Sequence, residues 1–387
     1  MVACPPLPNS MNTITIGIDC RLWKQTGVGR YIRNLVFNLL KIDKENEYVL
    51  FVRGEEENEI ENEISEFKIE NLKLKIVRAN ISWHSVSEQF RFPGIIKRQK
   101  IDLMHFPYIG VPIFYKEPFV VTIHDLIPYH YPTGDASTLP IWLYGFKMLA
   151  YRFVINSAAR NSRKIIAVSN ATKDEIADHL YVDKRKIEMV YEAADDFSAI
   201  GGSSSGQDNY FLFVGNVYPH KNADKLIEAF EKIVSENKDL KLVFAGSDDS
   251  FYRKFKKKFK KMEEEGNIVF KFNSSDKELS ALYKNAICLI RPSLMEGFSL
   301  PPLEAMASDC LVCISDIPSH REIIGDLGIY FNPKDKNDIY EKMKYTLAIS
   351  KNEKEKLINK GKERITKFSW KTAALKTLKI YESCLGL

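Results

Sequence analysis

The sequence predicts an α/β protein built from two doubly wound parallel sheets in tandem. Two observations carry this. Short apolar runs alternate with stretches of helical period along the chain, the βαβα pattern of parallel sheets covered by helices. The alternation breaks once, at 195–209 (DDFSAIGGSSSGQDN), where Gly and Ser dominate and nothing is periodic, and then restarts. A length of 387 residues suits two domains, so 12–194 is assigned to the first, 195–209 to a linker and 210–370 to the second.

The first half opens with a strand at 13–19 (TITIGID). A Gly-rich loop, Gly27-Val28-Gly29-Arg30, leads into a helix with apolar residues at 31, 32, 35, 36, 39 and 40. Strands follow at 48–53 and 72–79. The acidic run between them (GEEENEIENEISEFKIE) reads as a solvated, partly mobile face. A short helix is expected near 94–99. The runs 101–106 (IDLMHF) and 118–124 (PFVVTIH) are almost continuously apolar, as buried parallel strands are. They end in His105 and in His124-Asp125. Ligands of open α/β sheets bind at the carboxyl ends of strands, which makes His124 a candidate for chemistry, with a structural histidine as the alternative. Residues 137–161 form a long helix rich in aromatics (Trp142, Tyr144, Phe146, Tyr151, Phe153). Core packing is the plainer reading, an acceptor- or membrane-facing surface the sharper one. After a strand at 164–169, Ser169 opens a helix, with Glu175 placed to complete its cap. KIEMVY (186–191) closes this half.

In the second half, strands are expected at 210–215, 241–246, 267–272, 286–292, 310–316 and 328–333. Helices intervene at ADKLIEAFEKIV, at 276–285 and near 336–350, and a last one spans 368–387. In FYRKFKKKFKKM, Phe251, Phe255, Phe259 and Met262 make a core stripe with a solvated lysine face. Cys310 and Cys313 form a CxxC with no second pair beside it. Residues i and i+3 of a strand face opposite ways, so both read as small buried hydrophobes and not as metal ligands.

Composition narrows the function classes. No apolar run approaches the ~18 residues a transmembrane helix needs. MVACPPLPNSM lacks the charged and apolar regions of a signal peptide, and Met11 is a candidate start of the ordered chain. The six cysteines (Cys4, Cys20, Cys288, Cys310, Cys313, Cys384) are scattered, which argues for a reducing, cytoplasmic compartment and against a disulfide framework. A net charge of +5 permits contact with an anionic membrane surface but does not argue for nucleic acid. The GxG at 27–29 lacks the third glycine of a dinucleotide fingerprint.

The stretch 291–308 (RPSLMEGFSLPPLEAMAS) carries the most chemistry. Pro301 and Pro302 fit a helix only in its first turn, which puts Glu296 in the preceding loop and Glu304 inside the helix. Free backbone N–H groups of Gly297, Phe298, Ser299 and Leu300 at a helix N-terminus suit phosphate. Carboxylates beside them suit sugar diols. That is the chemistry of a nucleotide-sugar pocket; a plain strand-loop-helix with solvated glutamates is the alternative.

The Glu-x7-Glu spacing of EGFSLPPLE resembles the signature of the retaining glycosyltransferases of family GT4, which have the GT-B fold. IGIDCRLWKQTGVGRYIRNL, VVTIHDLIPYHYP, IIAVSNATKDEI, VYEAAD, FVGNVYPHKN and SDIPSHREIIGDLGIYFNP match the family's running text in order, over roughly 12–385. The resemblance implies two Rossmann-like domains facing a cleft, with 371–387 crossing back as a helix to the first, acceptor-side domain. It implies that Glu296 accepts from donor-sugar hydroxyls and Glu304 from the ribose diol. Lys221 would bind phosphate, Gly27 to Gly29 would cover the diphosphate with Arg30 nearby, and His124 would stand at the catalytic centre. Asn216 and His220 occupy positions where related sequences often carry Arg, so less fixed positive charge would meet the diphosphate, and His220 would titrate. Phe272 replaces a frequent Gly near the expected base.

No Asp-x-Asp occurs, so neither a metal-bridged diphosphate nor a cofactor is expected. The expected reaction is retaining transfer of a hexose to a saccharide or lipid-linked acceptor in cell-surface polysaccharide biosynthesis. Mannose from GDP-mannose is the leading donor, with dTDP-rhamnose and UDP-sugars as alternatives. The expected setting is the cytoplasm, in peripheral contact with the inner face of the membrane. A GT-B epimerase, a glucan synthase and a non-catalytic nucleotide-sugar binding protein are the competing readings.

Overall fold

The computed structural model describes residues 13–66, 73–132, 141–194 and 209–386, with 141–143 as backbone only. The expected linker, apart from Asn209, the region around Met11, and the start of the aromatic stretch with the side chain of Trp142 lie outside the described residues.

The first half runs β1 (Thr15–Asp19), α1 (Gly27–Ile42), β2 (Glu47–Val52), α2 (Glu57–Glu66), β3 (Leu74–Arg78), α3 (Val86–Lys97), β4 (Leu103–Phe106), β5 (Phe119–Ile123), α4 (Ile127–His130), α5 (Ile141–Asn161), β6 (Lys164–Ala167), α6 (Asn170–Leu180) and β7 (Ile187–Met189). The strands form a parallel seven-stranded sheet in the order β3-β2-β1-β4-β5-β6-β7. Every residue of β4 and β5 is buried, which is why these strands are apolar without alternation.

The second half runs β8 (Tyr210–Val214), α7 (Ala223–Glu236), β9 (Lys241–Gly246), α8 (Ser250–Lys258), α9 (Lys260–Glu264), β10 (Ile268–Phe272), α10 (Asp276–Asn285), β11 (Cys288–Arg291), α11 (Leu300–Ala307), β12 (Leu311–Ser315), α12 (Pro318–Ile324), β13 (Ile329–Phe331), α13 (Lys336–Ala348), α14 (Lys351–Ile365) and α15 (Trp370–Leu385). Its parallel sheet has the order β10-β9-β8-β11-β12-β13. Both sheets therefore reverse direction beside their first strand, at β1/β4 and at β8/β11, the switch points where α/β sheets open a crevice. Helix α15 returns to the first half. Trp370 meets Tyr31 of α1 at 6.0 Å between ring centroids, and the Tyr381 hydroxyl lies 2.6 Å from Nδ1 of His105. His105 also bonds Thr122 at 2.8 Å and is fully buried, so it serves structure. One apolar cluster runs continuously from β1 and α1 through Phe298 to β12, joining the halves. Cys310 belongs to that cluster and Cys313 to the one on the other side of the sheet, both as buried thiols.

Several local expectations are corrected. Gly27 to Gly29 are the opening turn of α1 and not a loop before it. The acidic run contains α2, because Ile60 and Ile64, one turn apart, are both buried and anchor it. The short helix near 94–99 is the end of the longer α3, which tolerates Pro93 inside it. The lysine-faced stripe is split at Phe259 into α8 and α9, and its deepest residue is Tyr252. On α5 the aromatics divide: Tyr151 packs on the core with Ile155, Ala158 and Ala159, whereas Phe146 and Phe153, with Leu149, are 68%, 63% and 63% exposed and are not core. Ser169 caps α6 by accepting from the backbone N–H of Thr172, and Glu175, three residues beyond the reach of that cap, bonds His130 instead.

Candidate functional site

The carboxyl ends of the two sheets enclose a cavity of about 660 Å³, within the range of roughly 300–1,000 Å³ that small-molecule sites occupy. Gly27, Arg30 and His124 line it from the first half, and Asn216, Lys221, Gly297 to Leu300, Glu296 and Glu304 from the second. Gly29, His220 and Phe272 do not line it. Gly29 packs behind, where a Cβ would strike the carbonyl of Trp23. Phe272 packs edge-on to Tyr252 at 5.4 Å, leaving the wall to Asn273 and Ser274. His220 is buried, and burial together with the charge of Lys221 lowers its pKa to about 3. It therefore stays neutral near pH 7, contrary to the expectation that it titrates.

Glu296 sits in the loop after β11, and the hydrogen bonds described on its carboxylate come from its own half. Arg291 donates to Oε1 from Nε at 3.0 Å, with Nη2 at 2.8 Å, and the Ser293 hydroxyl donates to the same oxygen at 2.6 Å. Lys221 Nζ donates to Oε2 at 2.6 Å. Three of these contacts crowd Oε1, whereas Oε2 takes only Lys221 and keeps a second lone-pair position. Burial alone would raise the pKa of Glu296, but Arg291 and Lys221 hold it well below the usual carboxylate range. Burial, and then the charge of Arg291, lower that of Lys221 in spite of Glu296. Gly215, at φ +123°, is required beside this cluster, since a Cβ there would come within 2.7 Å of the Arg291 guanidinium.

Glu304 lies inside α11, whose first turn accommodates Pro301 and Pro302. The Tyr283 hydroxyl donates to its Oε2 at 2.7 Å, and Arg30 of the first half pairs with Oε1. Arg30 also reaches Asp276 at 3.0 Å. The arginine expected beside a diphosphate is thus engaged across the cleft, on the carboxylate expected to meet ribose.

His124 faces this wall from the end of β5. Its Nδ1 lies 2.9 Å from Glu192 Oε1, and its Nε2 lies 2.9 Å from the Pro107 carbonyl oxygen. Both partners accept, an arrangement that favours a proton on each ring nitrogen. Burial opposes that charge, but the bond and charge of Glu192, with the carbonyl, raise the pKa above the ordinary histidine value. The Tyr31 ring stands edge-on at 4.8 Å.

The two walls meet at Gly297. Its carbonyl accepts from Ser169 at 2.6 Å and from Thr172 at 3.2 Å, both in the first half. A Cβ on Gly297 would collide with the carbonyl of His124, so only glycine fits. Phe298 is buried between Tyr191 and Phe368 and anchors the loop. Ser299 takes a left-handed φ of +76° ahead of Leu300, the first residue of α11. Asn216 Oδ1 and Ser299 Oγ are both buried in the wall without a hydrogen-bond partner, which is the condition of groups that a polar ligand would satisfy. Residues that sequence reasoning did not assign are Glu192, Arg291, Ser293 and Tyr283. Arg291 and Ser293 stand within the stretch that carries Glu296, and Glu192 within VYEAAD, so proximity to those motifs was the available signal.

Residues 25–196 match the family described as "Glycosyltransferase Family 4", and residues 200–364 match "Glycosyl transferases group 1", so that the two together span most of the chain. The chain is 29% identical to the O-antigen chain mannosyltransferase RfbU of Salmonella typhimurium, over 65% of this chain and 67% of that protein. It is 24% identical to the O-antigen chain mannosyltransferase B of Escherichia coli, over 92% of this chain and 96% of that protein. Its fold matches the crystal structure of Anabaena Alr3699/HepE in complex with UDP-glucose with a TM-score of 0.72 at 13% identity, covering 96% of this chain and 100% of that one. Two Rossmann-like halves, a cleft between them, a C-terminal helix that crosses back and family matches to both halves lead to one assignment: the chain belongs to the GT4 glycosyltransferases and has the GT-B fold.

Proposed function

We propose that this glycosyltransferase moves mannose from GDP-mannose to a saccharide or lipid-linked acceptor in cell-surface polysaccharide biosynthesis, with retention at the anomeric carbon and without a metal. The observation that carries the site assignment is the direct Lys221–Glu296 bond at the mouth of α11, opposite the His124 imidazolium. The choice of mannose rests on the relatives, two of which are O-antigen chain mannosyltransferases.

In this proposal the donor's diphosphate draws Lys221 away from Glu296. Oε2 of Glu296 is then free to accept from a ring hydroxyl, while Arg291 and Ser293 keep the carboxylate in place. Lys221 and the backbone N–H groups at the start of α11 meet the charge that builds on the leaving diphosphate, the kind of preorganised electrostatics that supplies most of a rate enhancement. The bond from the anomeric carbon to the β-phosphate oxygen breaks, the bond to the acceptor oxygen forms on the same face, and that phosphate oxygen takes the acceptor's proton. Both N–H groups of His124 are committed to Glu192 and Pro107, so His124 acts on the reacting sugar through its charge and position. Glu304 receives the ribose diol, with Arg30 shifting toward the diphosphate.

Melting the protein with GDP, UDP, dTDP and ADP tests the donor, because a ligand bound only by the folded state raises stability by mass action. GDP gives the largest shift, and GDP-mannose is turned over in EDTA. A response to none of the four removes the functional reading; a larger response to UDP or dTDP replaces the donor. Among the described residues no helix is long and apolar enough to cross a membrane. We further propose cytoplasmic action in peripheral contact with the membrane, favoured by exposed Phe146, Leu149 and Phe153 on α5. Wild-type protein sediments with anionic vesicles, and a variant with serine at those three positions does not.

A further inference from the structure

Away from the residues that line the cleft, two histidines and a carboxylate converge where α4 meets α6. His130 ends α4, and Glu175 and His179 stand one turn apart on α6. His130 Nε2 lies 2.7 Å from Glu175 Oε2, and His179 Nδ1 lies 3.4 Å from the same oxygen. One ligand-capable atom from each of the three residues lies within 4.8 Å of the other two. The histidine rings meet edge to face at 4.8 Å. The side chains of His130, Glu175 and His179 are 32%, 34% and 37% exposed, so an ion reaches them from solvent without any opening of the fold.

We propose that His130, Glu175 and His179 bind one divalent transition ion of the zinc class, with water completing its coordination, and that the ion ties α4 to α6. Two imidazoles and one carboxylate, with an open position, is a ligand set that zinc accepts. Imidazole nitrogen favours zinc, copper and nickel over magnesium or calcium. Ligand atoms around a tetrahedral zinc stand about 3.3 Å apart, given bonds of about 2.0 Å. Against that spacing, His130 Nε2 and His179 Nδ1 lie 2.7 Å and 3.4 Å from Glu175 Oε2. His179 Nδ1, the ring nitrogen that lies near Glu175 Oε2, also lies 3.0 Å from the Glu175 carbonyl oxygen, and binding the ion through Nδ1 replaces that contact. Glu175 takes no part in the cap of α6, which Ser169 and Thr172 close between them.

The site is separate from the transfer chemistry but adjacent to what positions it. Helix α4 follows directly on His124 and Asp125, while the first turn of α6 supplies Ser169 and Thr172 to the Gly297 carbonyl. An ion joining the two helices would stiffen the first-half side of that seam and touch no substrate.

The test uses the full, untagged chain stripped of metal. Titrated with Zn²⁺ against a chromophoric chelator, the wild type takes up one equivalent, and its melting temperature rises with zinc concentration by mass action. Co²⁺ gives the visible absorption of a low-coordinate site. His130→Ala and His179→Ala each weaken zinc binding by at least ~100-fold, more than loss of a supporting contact costs; Glu175→Gln weakens it as well. In EDTA all three variants melt with the wild type, which separates loss of a ligand from loss of fold. Absence of zinc uptake by the wild type at micromolar zinc, or wild-type affinity in both histidine variants, overturns the proposal and leaves a hydrogen-bonded trio.

Discussion

Glu296 and Glu304 stand eight positions apart in sequence and are held in opposite ways. All of the hydrogen bonds described on Glu296 come from the second half, from Arg291, Ser293 and Lys221. Glu304 takes Tyr283 from its own half and Arg30 from across the cleft. The first carboxylate is therefore held by hydrogen bonds within one sheet's switch point, with Asp125 as a charged neighbour across the cleft. The second is shared, and its surroundings change if the halves move or if a ligand enters. One motif thus contains a preset group and a responsive one, although both glutamates are buried.

Glu296→Gln has the largest expected effect. It removes the main counter-charge of buried Arg291 and leaves Lys221 only the more distant Asp125, a kind of loss that costs about 3–5 kcal/mol of stability, and the melting temperature falls accordingly. Transfer falls by ~10²–10³-fold as the site loses its fixed anion. Glu304→Gln keeps one oxygen for Arg30, which also has Asp276, and turns its amide N–H toward the Tyr283 hydroxyl, which can accept, so it loses less than Glu296→Gln in both measurements. Equal losses in the two variants would end the distinction between them.

Lys221→Ala ranks next. Glu296 keeps Arg291 and Ser293, so stability drops less than in Glu296→Gln. On the proposed mechanism turnover drops by ~10²–10³-fold, because the leaving diphosphate loses the cation assigned to it. Wild-type turnover in this variant removes Lys221 from the mechanism. Arg30→Ala comes third. Glu304 keeps the Tyr283 bond but loses its charged partner, so stability falls, by less than in Glu296→Gln because Arg30 is itself partly open to solvent, and KM for the donor rises by about tenfold (~1.4 kcal/mol). A change in kcat with KM unchanged would mean that Arg30 acts on the chemical step and not on the donor-binding face of the cleft.

How much of this was legible in the sequence follows from where each constraint is encoded. The sheets were legible because burial on both faces writes itself as unbroken apolar runs, as in β4 and β5. The loop-then-helix setting of Glu296 and Glu304 was legible because Pro301 and Pro302 admit only a first turn. Gly27 to Gly29 were misplaced because glycine opens a helix as readily as it makes a loop. In α2, two isoleucines were outweighed by surrounding glutamates, although a spacing of four is enough to anchor a turn. The pairings that define the cleft were out of reach. Arg30 and Glu304 are 274 residues apart, His124 and Glu192 68 apart, and only the folded topology brings them together. His130 and Glu175, 45 residues apart, were hidden in the same way, and Glu175 was given to a cap that Thr172 already completes.

The smallest expected effect probes the first-half wall alone. His124 has a pKa raised above the usual 6.5, through Glu192 and the Pro107 carbonyl acting against burial. A group whose folded pKa exceeds its unfolded one adds stability that is complete below the unfolded value and is lost as pH rises through the folded value. The melting temperature and turnover of the wild type therefore decline together on the alkaline side of 6.5 as the imidazolium loses its proton. Asp125, the other carboxylate acting on His124, remains in place when Glu192 is changed, so Glu192→Gln weakens this effect without abolishing it. In that variant the alkaline decline in turnover begins at lower pH. The decline owed to Lys221 has its own origin, a pKa lowered from 10.5 by burial and Arg291, and it stays where it is in the wild type. Glu296 lies on the other flank: its depressed pKa adds stability above about pH 4.5 that is lost as pH falls toward the folded value. Glu192→Gln thus moves one limb of the pH profile and leaves the acid limb untouched. If both limbs moved, the two walls of the cleft would be electrostatically coupled, and the contrast between the preset wall around Glu296 and the rest of the site would have to be redrawn.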